Sequence, residues 1–339
     1  MNERNAQRAA PSALITWLRG LAAGLLMCWA SAGLAQPADF PSKPITIYSP
    51  YSPGGSDLAI RNYTNWITQR HPKWVFVIEF RPGAQSALAY GQVSKSPPDG
   101  YSLAQTSATL LLTEAMDPKP SYSLEQFSPV YRLYATPQVF MVHQSVPAKS
   151  MKELVAHAKA NPGKLDWAMI GLTGIQRITA EFIQELLGVK FTFIPYKGTG
   201  SIGPAVISGE VAISMQSPRN TTTMIRTGKV RALAHTGPKG FRFPELPDVR
   251  NFAESGAPEF EHVAWTGLHA PAGTPLAIRT ATNRLFNEPF GDPVFEKAFI
   301  TGGDVPVKNT IEEFEKFMKG QQDRWVGTAN RLGIKMTAD

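Results

Sequence analysis

Short runs of β-branched and aromatic residues alternate along the chain with longer stretches of helical periodicity. Strand-like runs with a following helical stretch lie at 45–48 with 58–67 and at 75–78 with 88–93, and further strand-like runs lie at 190–194, 211–215 and 230–234. Alternating strands and helices are typical of sheets whose strands run parallel. The pattern therefore predicts an α/β fold with largely parallel sheets.

Two helix starts carry the spacing of a capping box, in which a Ser or Thr is followed three residues later by Glu. These are Ser150 with Glu153 and Thr310 with Glu313. Beyond Thr310 the apolar positions recur on one helical face, which predicts a long closing helix packed by that face. They are Ile311, Phe314, Met318, Trp325, Ala329 and Leu332.

The composition is that of a globular protein of about two domains. The chain has 339 residues, of which 43% are hydrophobic and 18% charged. These values exclude a disordered, collagen-like or coiled-coil chain. A mean hydropathy of −0.16 with a single short apolar run also excludes a polytopic membrane protein.

The first 35 residues have the order of a secretory signal peptide. Three arginines precede an apolar run at 20–29, and small residues follow up to Ala35. The alternative, a membrane anchor, is less favoured because the run is too short to span a bilayer. We expect cleavage near Ala35, which removes Cys28, the only cysteine. A two-domain exported protein without disulfides is typical of the bacterial periplasm.

The chain is mildly basic, with a formal charge of +7, and loss of the signal segment lowers this to +5. Its lysines and arginines are scattered, without a basic stripe or interleaved aromatics, so nucleic acid is not an expected partner. A mild positive charge favours anionic small molecules.

The chain lacks the common catalytic and cofactor motifs: a Walker A loop, H-E-x-x-H and G-x-S-x-G are all missing, and the six histidines are dispersed. We therefore expect no metal and no cofactor. The formal G-x-G-x-x-G at 198–203 lacks the acidic residue that holds a ribose, since no acid lies between Glu210 and Glu245. A catalytic triad assembled in space stays open, because triads are recognised by geometry.

Several strand-like runs are followed by loops rich in Gly, Ser and Thr that open helices. They lie at 52–56, 105–107, 171–174 and 196–199. Free backbone N–H groups at helix starts form anion sites when such loops converge. The alternative is that the glycines only make tight turns, and spacing leaves both interpretations open.

Ten short segments resemble one family in their sequence and their order. They lie at 40–47, 50–56, 81–84, 98–101, 145–148, 161–165, 195–198, 228–234, 246–249 and 270–275. Across Phe40 to about Leu332 the chain resembles the Bug family of exported solute receptors, the substrate-binding components of tripartite tricarboxylate transporters.

The resemblance implies a non-catalytic periplasmic binding protein of type II-like architecture. Two α/β lobes, joined by crossing hinge strands, would close on a ligand in the cleft between them. Residues 36–138 with 262–339 would form lobe 1, and residues 139–261 lobe 2. A monomer would deliver its solute to membrane permease subunits or to a sensor.

The resemblance also implies the residues that line the cleft, where backbone N–H groups and ordered water grip a small organic carboxylate. Carried over by position, they are Tyr51, Ser52, Gly54, Gly55, Ser56, Thr106, Ser107, Gly171, Leu172, Thr173, Gly174, Arg177, Tyr196, Lys197, Gly198, Gln216 and Ser217.

Departures from the family pattern narrow the class of ligand that we expect. The acid of the first loop stands one step early, at Asp57, and Gln216 replaces an acid in the second lobe. Loss of that acid argues against a ligand amine, and so against amino acids. If Arg177 faces the cleft, it offers a planar fork to a second carboxylate; otherwise it is a surface residue. Trp265 either lines the cleft or belongs to the core.

Di- or aromatic carboxylates are therefore the favoured ligands. Two other functions remain as alternatives: an exported α/β hydrolase or other secreted enzyme, and a receptor fold kept for signalling or scaffolding. An enzyme would need a positioned nucleophile and base, whereas a receptor needs donors and shape.

Overall fold

The computed structural model describes residues 40–51, 53, 55–116, 120–170, 174–196 and 199–334. Within these residues the strands are β1 (Ile45–Ser49), β2 (Phe76–Phe80), β3 (Ser102–Thr106), β4 (Phe127–Pro137), β5 (Val139–His143), β6 (Asp166–Ile170), β7 (Thr192–Tyr196), β8 (Ile213–Gln216), β9 (Val230–His235), β10 (Val263–Pro271) and β11 (Val305–Pro306). The helices are α1 (Gly55–Arg70), α2 (Ala87–Ser94), α3 (Ala108–Met116), α4 (Met151–Ala160), α5 (Ile175–Leu187), α6 (Thr199–Ser208), α7 (Pro218–Arg226), α8 (Leu276–Asn287), α9 (Pro293–Ile300) and α10 (Ile311–Arg331).

The strands form two separate mixed sheets, one in each lobe. The first has the order β11-β4-β10-β3-β1-β2, and the second has the order β7-β6-β8-β5-β9. β1 pairs in parallel with β2 and β3, as β6 does with β7 and β8. β10 runs antiparallel to β3 and β4, and β5 runs antiparallel to β8 and β9. The α/β fold is confirmed, but the sheets are less parallel than expected because the crossing strands enter them in the opposite direction.

The first lobe is held by an apolar core between its sheet and α1. Ile45 and Ile47 are fully buried on alternate positions of β1. They cluster with Ile60, Tyr63 and Ile67, which share one face of α1. Burial of these side chains fixes α1 with its amino terminus at the carboxyl edge of the sheet.

The second lobe has a separate core around Trp167 of β6, whose ring meets Phe140 edge-on with centroids 5.0 Å apart. The chain crosses between the lobes at Gln138, between β4 and β5, and again between β9 and β10. These crossings are the predicted hinge strands.

The long closing helix is confirmed as α10, which packs on both lobes. Thr310 caps it and Glu313 completes the capping box. Phe314 lies in a cluster with the first lobe's Trp265, whereas Trp325 lies in the core of the second lobe. In the other predicted box Ser150 accepts from the Glu153 backbone, but the Glu153 carboxylate accepts from the Lys149 backbone.

The proposed signal segment, residues 1–35, lies outside the described residues. Among those that are described, no helix is both long and apolar enough to cross a bilayer.

Candidate functional site

The predicted loops gather at the carboxyl edges of the two sheets. In the first sheet, Tyr51 follows β1 and Ser107 follows β3, and these strands are parallel neighbours. In the second sheet, Gly174 follows β6, Tyr196 ends β7 and Gln216 ends β8. Parallel neighbours present their carboxyl ends at the same edge, where ligands of open α/β sheets bind. We call these the first edge and the second edge.

The two edges face each other, and contacts close the space between them at two places. On one side, Ile175 at the start of α5 packs on the cluster of Ala108 and Trp265. On the other, Arg219 in the first turn of α7 reaches Asp304 of the first lobe, with 3.0 Å between Nη2 and Oδ2. We call the region between these two contacts the cleft.

Tyrosine hydroxyls dominate the first edge. The Tyr51 phenol is shielded from water, which raises its pKa, and the Ser107 hydroxyl offsets part of the rise. Burial raises the pKa of Tyr90 further; Ser107 and Ser86 lie near its hydroxyl, but neither stands in hydrogen-bond geometry with it. Burial likewise raises the pKa of Tyr134, with Thr266 as a hydrogen-bond partner. These phenols are uncharged donors at neutral pH.

The loop before α2 carries backbone strain beside these phenols. Ala84 and Ser86 adopt left-handed φ angles of 44° and 77°. Such conformations in residues other than glycine persist only where the surroundings enforce them, and they concentrate at functional sites. No motif in the sequence indicated this strain.

Thr106, a predicted site residue, is fully buried below the first edge. Its hydroxyl lies 2.7 Å from Nδ1 of His269, whose Nε2 lies 3.0 Å from the sulfur of Met318. Burial lowers the pKa of His269 to about 3, so the ring is neutral. The Thr106 hydroxyl is thus taken by the histidine, and this residue supports the strand end from inside the lobe.

Gly174 opens the second edge in a conformation that requires glycine. Its φ of 86° and ψ of −174° lie where a side chain would be strained. Gln176 fixes the helix start, because its Oε1 accepts a 2.8 Å hydrogen bond from the Ile170 backbone.

Arg177 and Tyr196 are both engaged with acids of their own lobe. Arg177 Nη2 lies 2.5 Å from Oε1 of Glu181, one helical turn on, and its guanidinium lies over the Phe193 ring with 4.8 Å to the centroid. The Tyr196 hydroxyl donates to Oε1 of Glu210 at 2.7 Å, and desolvation together with this acid raises its pKa to about 12.

Gln216 is buried, with 3% of its surface exposed. Its Nε2 donates to the Ser214 hydroxyl at 3.0 Å, whereas its Oε1 accepts no hydrogen bond from the described residues. Ser217 is the extended N-cap of α7, and its side chain makes no capping bond. The Gln216 acceptor and the start of α7 therefore lie together at the second edge.

Trp265 is a core residue, 3% exposed, whose ring meets Phe314 and Phe317 of α10 edge-on. Its indole Nε1 makes no hydrogen bond with described residues. Gly55 and Ser56 form the start of α1. The other predicted site residues lie outside the described residues: Ser52, Gly54, Gly171, Leu172, Thr173, Lys197 and Gly198.

The Arg219–Asp304 contact was not predicted. Asp304 is 6% exposed and also accepts a 2.6 Å hydrogen bond from the Thr136 hydroxyl at the end of β4. Burial raises the pKa of the Asp304 carboxyl, and the bonds from Thr136 and Arg219 offset part of the rise. Since 85 residues separate the pair, no local sequence signal marks it.

Three of the acids beside these loops are each paired with an arginine, whereas Glu210 accepts from the Tyr196 hydroxyl. Asp57 in the first turn of α1 lies 2.9 Å from Arg61 Nε, in addition to the pairs of Glu181 and Asp304 already described. Within the described ranges, no three His, Cys, Asp or Glu side chains are grouped so that they could hold a metal ion. The edges thus present neutral hydroxyls, amides and helix starts.

Two α/β lobes, joined by crossing strands and facing each other across a cleft, define a two-lobed solute-binding protein. Solved structures agree. The chain has a TM-score of 0.78 and 30% identity with a periplasmic transporter, covering 88% of this chain and all of that one. A Rhodopseudomonas palustris protein with adipate gives a TM-score of 0.78 at 25% identity, covering 88% and 99% of the two chains.

The sequence comparisons give the family. Residues 68–334 match the model of the tripartite tricarboxylate transporter family receptor, TctC. Protein BugT of Bordetella pertussis is 30% identical over 314 residues, which cover 91% of this chain and 95% of that protein. The chain therefore belongs to the Bug/TctC family of periplasmic receptors, as the sequence motifs indicated. This is a family of receptors and not of enzymes, and the hydrolase alternative is not supported.

Proposed function

We propose that this receptor captures a small organic carboxylate in the cleft and presents it to a tripartite tricarboxylate-type permease or to a sensor. The convergence of helix starts and neutral donors at two facing edges carries this proposal. Backbone N–H groups at helix starts stabilise a carboxylate without a charged partner. Two solved relatives from Rhodopseudomonas palustris hold organic acids, adipate in one and malate in the other.

The ion pairs at the edges limit the class of solute that the cleft can bind. An ammonium group would need an acid that is free to pair with it. Asp57, Glu181 and Asp304 each have an arginine, and Glu210 is held by the Tyr196 hydroxyl. This supports a di- or aromatic carboxylate over an amino acid. For a dicarboxylate, the second carboxylate would have to compete with Glu181 for Arg177, so the pairing favours an acid with an apolar or aromatic body.

The lobe boundaries and export are part of the proposal. Residues 36–138 with 262–339 would form lobe 1 and residues 139–261 lobe 2, since β1–β4, β10 and β11 form one sheet and β5–β9 the other. With these boundaries α10 belongs to lobe 1, and its carboxyl-terminal half packs in the core of lobe 2. Residues 1–35 would direct export and be cleaved near Ala35, leaving a monomeric receptor in the periplasm.

A thermal-shift screen tests the function. The full chain, expressed with export and purified from the periplasm, is offered organic acids, amino acids and sugars. A solute that binds only the folded state adds about 2.7 kcal/mol at 100 times its dissociation constant. We expect shifts with carboxylates alone. Shifts with amino acids or sugars, or with no solute, would contradict the proposal.

A further inference from the structure

Gln105 is a buried amide that begins the predicted loop at 105–107 but is not among the predicted site residues. It has no exposed surface, and neither its Nε2 nor its Oε1 makes a hydrogen bond with the described residues. A buried amide without partners costs free energy, so such a group calls for a specific explanation. It lies at the carboxyl end of β3, directly before two predicted site residues.

Strand alternation places Gln105 under the start of α1. Ala104 packs with Tyr90 on the α2 side of the sheet, whereas Leu103 packs with Ile60 and Tyr63 of α1. Gln105 lies on the same side as Leu103, one step nearer the carboxyl edge. Because α1 begins at that edge after β1, Gln105 lies on the face of the sheet that α1 covers, at the end where the positively polarised start of the helix lies.

Gln216 ends the corresponding strand of the second lobe, β8, but it lies on the opposite face, because the helix on its side is α6, which corresponds in chain order to α2. Ser214 pairs with Met141 and Ala168, which cluster with Ile202 of α6. Gln216 lies two residues further on the same face, at the edge where α6 begins. Each edge therefore has one buried glutamine amide under the start of a helix that follows a glycine-rich loop, and each amide has an unpartnered oxygen.

We propose that Gln105 and Gln216 are specificity-determining residues that select a carboxylate bearing a hydroxyl group. This rests on the function proposed above. An amide oxygen accepts hydrogen bonds and a carboxylate cannot donate one, so two buried acceptors require a solute with donor hydrogens. A hydroxyl of the solute donates to such an oxygen, while the Nε2 of Gln105 and the backbone N–H groups of the helix starts donate to the carboxylate. A site built for a hydroxyl discriminates strongly against the analogue that lacks it.

Three pairs of acids that differ by one hydroxyl test the proposal: malate with succinate, 2-hydroxyglutarate with glutarate, and 3-hydroxybenzoate with benzoate. Dissociation constants are measured by titration calorimetry on the mature protein. We expect the hydroxylated member of at least one pair to bind roughly tenfold more tightly, as one well-placed hydrogen bond allows. In Gln105→Leu that ratio should fall to near one, with an unchanged or higher melting temperature because an unpartnered amide is removed. Gln216→Leu should also lower the ratio.

Gln184→Leu is the matched control, because Gln184 makes structural hydrogen bonds to Glu181 and to the Phe191 backbone. It should lower the melting temperature and leave the ratio unchanged. Gln105→Met, which keeps an unbranched chain, guards against a packing defect in the leucine variant. A fall in melting temperature in both Gln105 variants would assign this residue a structural role and overturn the inference.

The experiment distinguishes failure of the specificity proposal from failure of the proposed function. If carboxylates bind but no hydroxylated acid is preferred, or if Gln105→Leu keeps the preference, the specificity proposal is wrong and the receptor function stands. If no carboxylate binds at all, the proposed function fails and the specificity proposal fails with it.

Discussion

Across the cleft, the first edge offers uncharged hydroxyls, whereas the second offers charged groups that are already paired. Tyr51, Tyr90 and Tyr134 all have a pKa raised by burial, so they stay protonated donors. Facing them, Arg177 is bound to Glu181, and Arg219 reaches across to Asp304.

The difference shows how such a cleft can hold an anion without a free cation. A free buried arginine would bind any acid strongly, and it would carry a large desolvation cost before the solute arrives. Neutral donors and helix starts avoid that desolvation cost, and they distinguish solutes by shape and hydrogen-bonding pattern instead. The paired arginines then hold the lobes and helices in place.

At neutral pH, the largest effect on stability should come from breaking the contact between the edges. Asp304→Ala removes the partner of both Arg219 and Thr136. We expect a loss of about 2 kcal/mol in the free energy of unfolding, because the buried Thr136 hydroxyl loses its acceptor and the partly exposed Arg219 loses its partner. Denaturant unfolding measures it.

The control is Glu245→Ala, which breaks the exposed pair with Arg226 within the second lobe. Surface pairs contribute less than about 1 kcal/mol. Equal losses in the two variants would show that the contact between the edges is no stronger than a surface pair.

A second effect is a pH dependence that both lobes should share. Burial lowers the pKa of two histidines to about 3. His269 lies behind the first edge, and His262 packs against Trp325 in the core of the second lobe. The unfolded chain binds these protons near pH 6.5, but the folded chain does not. Stability is therefore complete above that pH and is lost as the pH falls from about 6.5 towards 3, by up to about 1.4 kcal/mol per pH unit for each histidine.

Unfolding curves at pH 7, 5 and 4 measure this slope. His269→Gln and His262→Gln should each flatten it, and the double variant should flatten it most. A stability that stays constant between pH 7 and 4, or a slope that neither variant changes, would contradict the buried neutral state.

The smallest effect compares two buried tyrosines of the first lobe. The Tyr63 hydroxyl donates to the Leu133 carbonyl at 2.7 Å, so Tyr63→Phe should cost about 1 kcal/mol. Tyr90→Phe removes a hydroxyl without a hydrogen-bond partner and should be neutral or slightly stabilising. Thermal unfolding of the two variants decides this, and an equal loss in both would show that the Tyr90 hydroxyl is paired.

Local patterns predicted the elements well because their causes are local. The alternation at 45–48 became β1, and the face from Ile311 to Ala329 became the buried stripe of α10. Thr310 and Glu313 form the predicted capping box, since such a box depends on four consecutive residues. The strand predicted at 190–194 begins two residues later, at Thr192.

The site was harder to predict because its chemistry depends on partners distant in sequence. The role of Thr106 is set by His269, 163 residues away, and that of Arg219 by Asp304. A lone glutamine in a strand carries no pattern, so Gln105 could be recognised only when the sheet placed it beneath α1. Helical spacing could have signalled the pairing of Arg177 with Glu181, four residues on.

Native mass spectrometry of the receptor purified from the periplasm tests the central claim most directly. The protein is offered an equimolar mixture of carboxylic acids, amino acids and sugars, and the mass of the bound molecule is read from the intact complex. We predict a one-to-one complex whose added mass is that of a carboxylic acid. An added mass of an amino acid or a sugar, or no complex at any concentration offered, would contradict the claim that neutral donors at two facing edges bind a carboxylate.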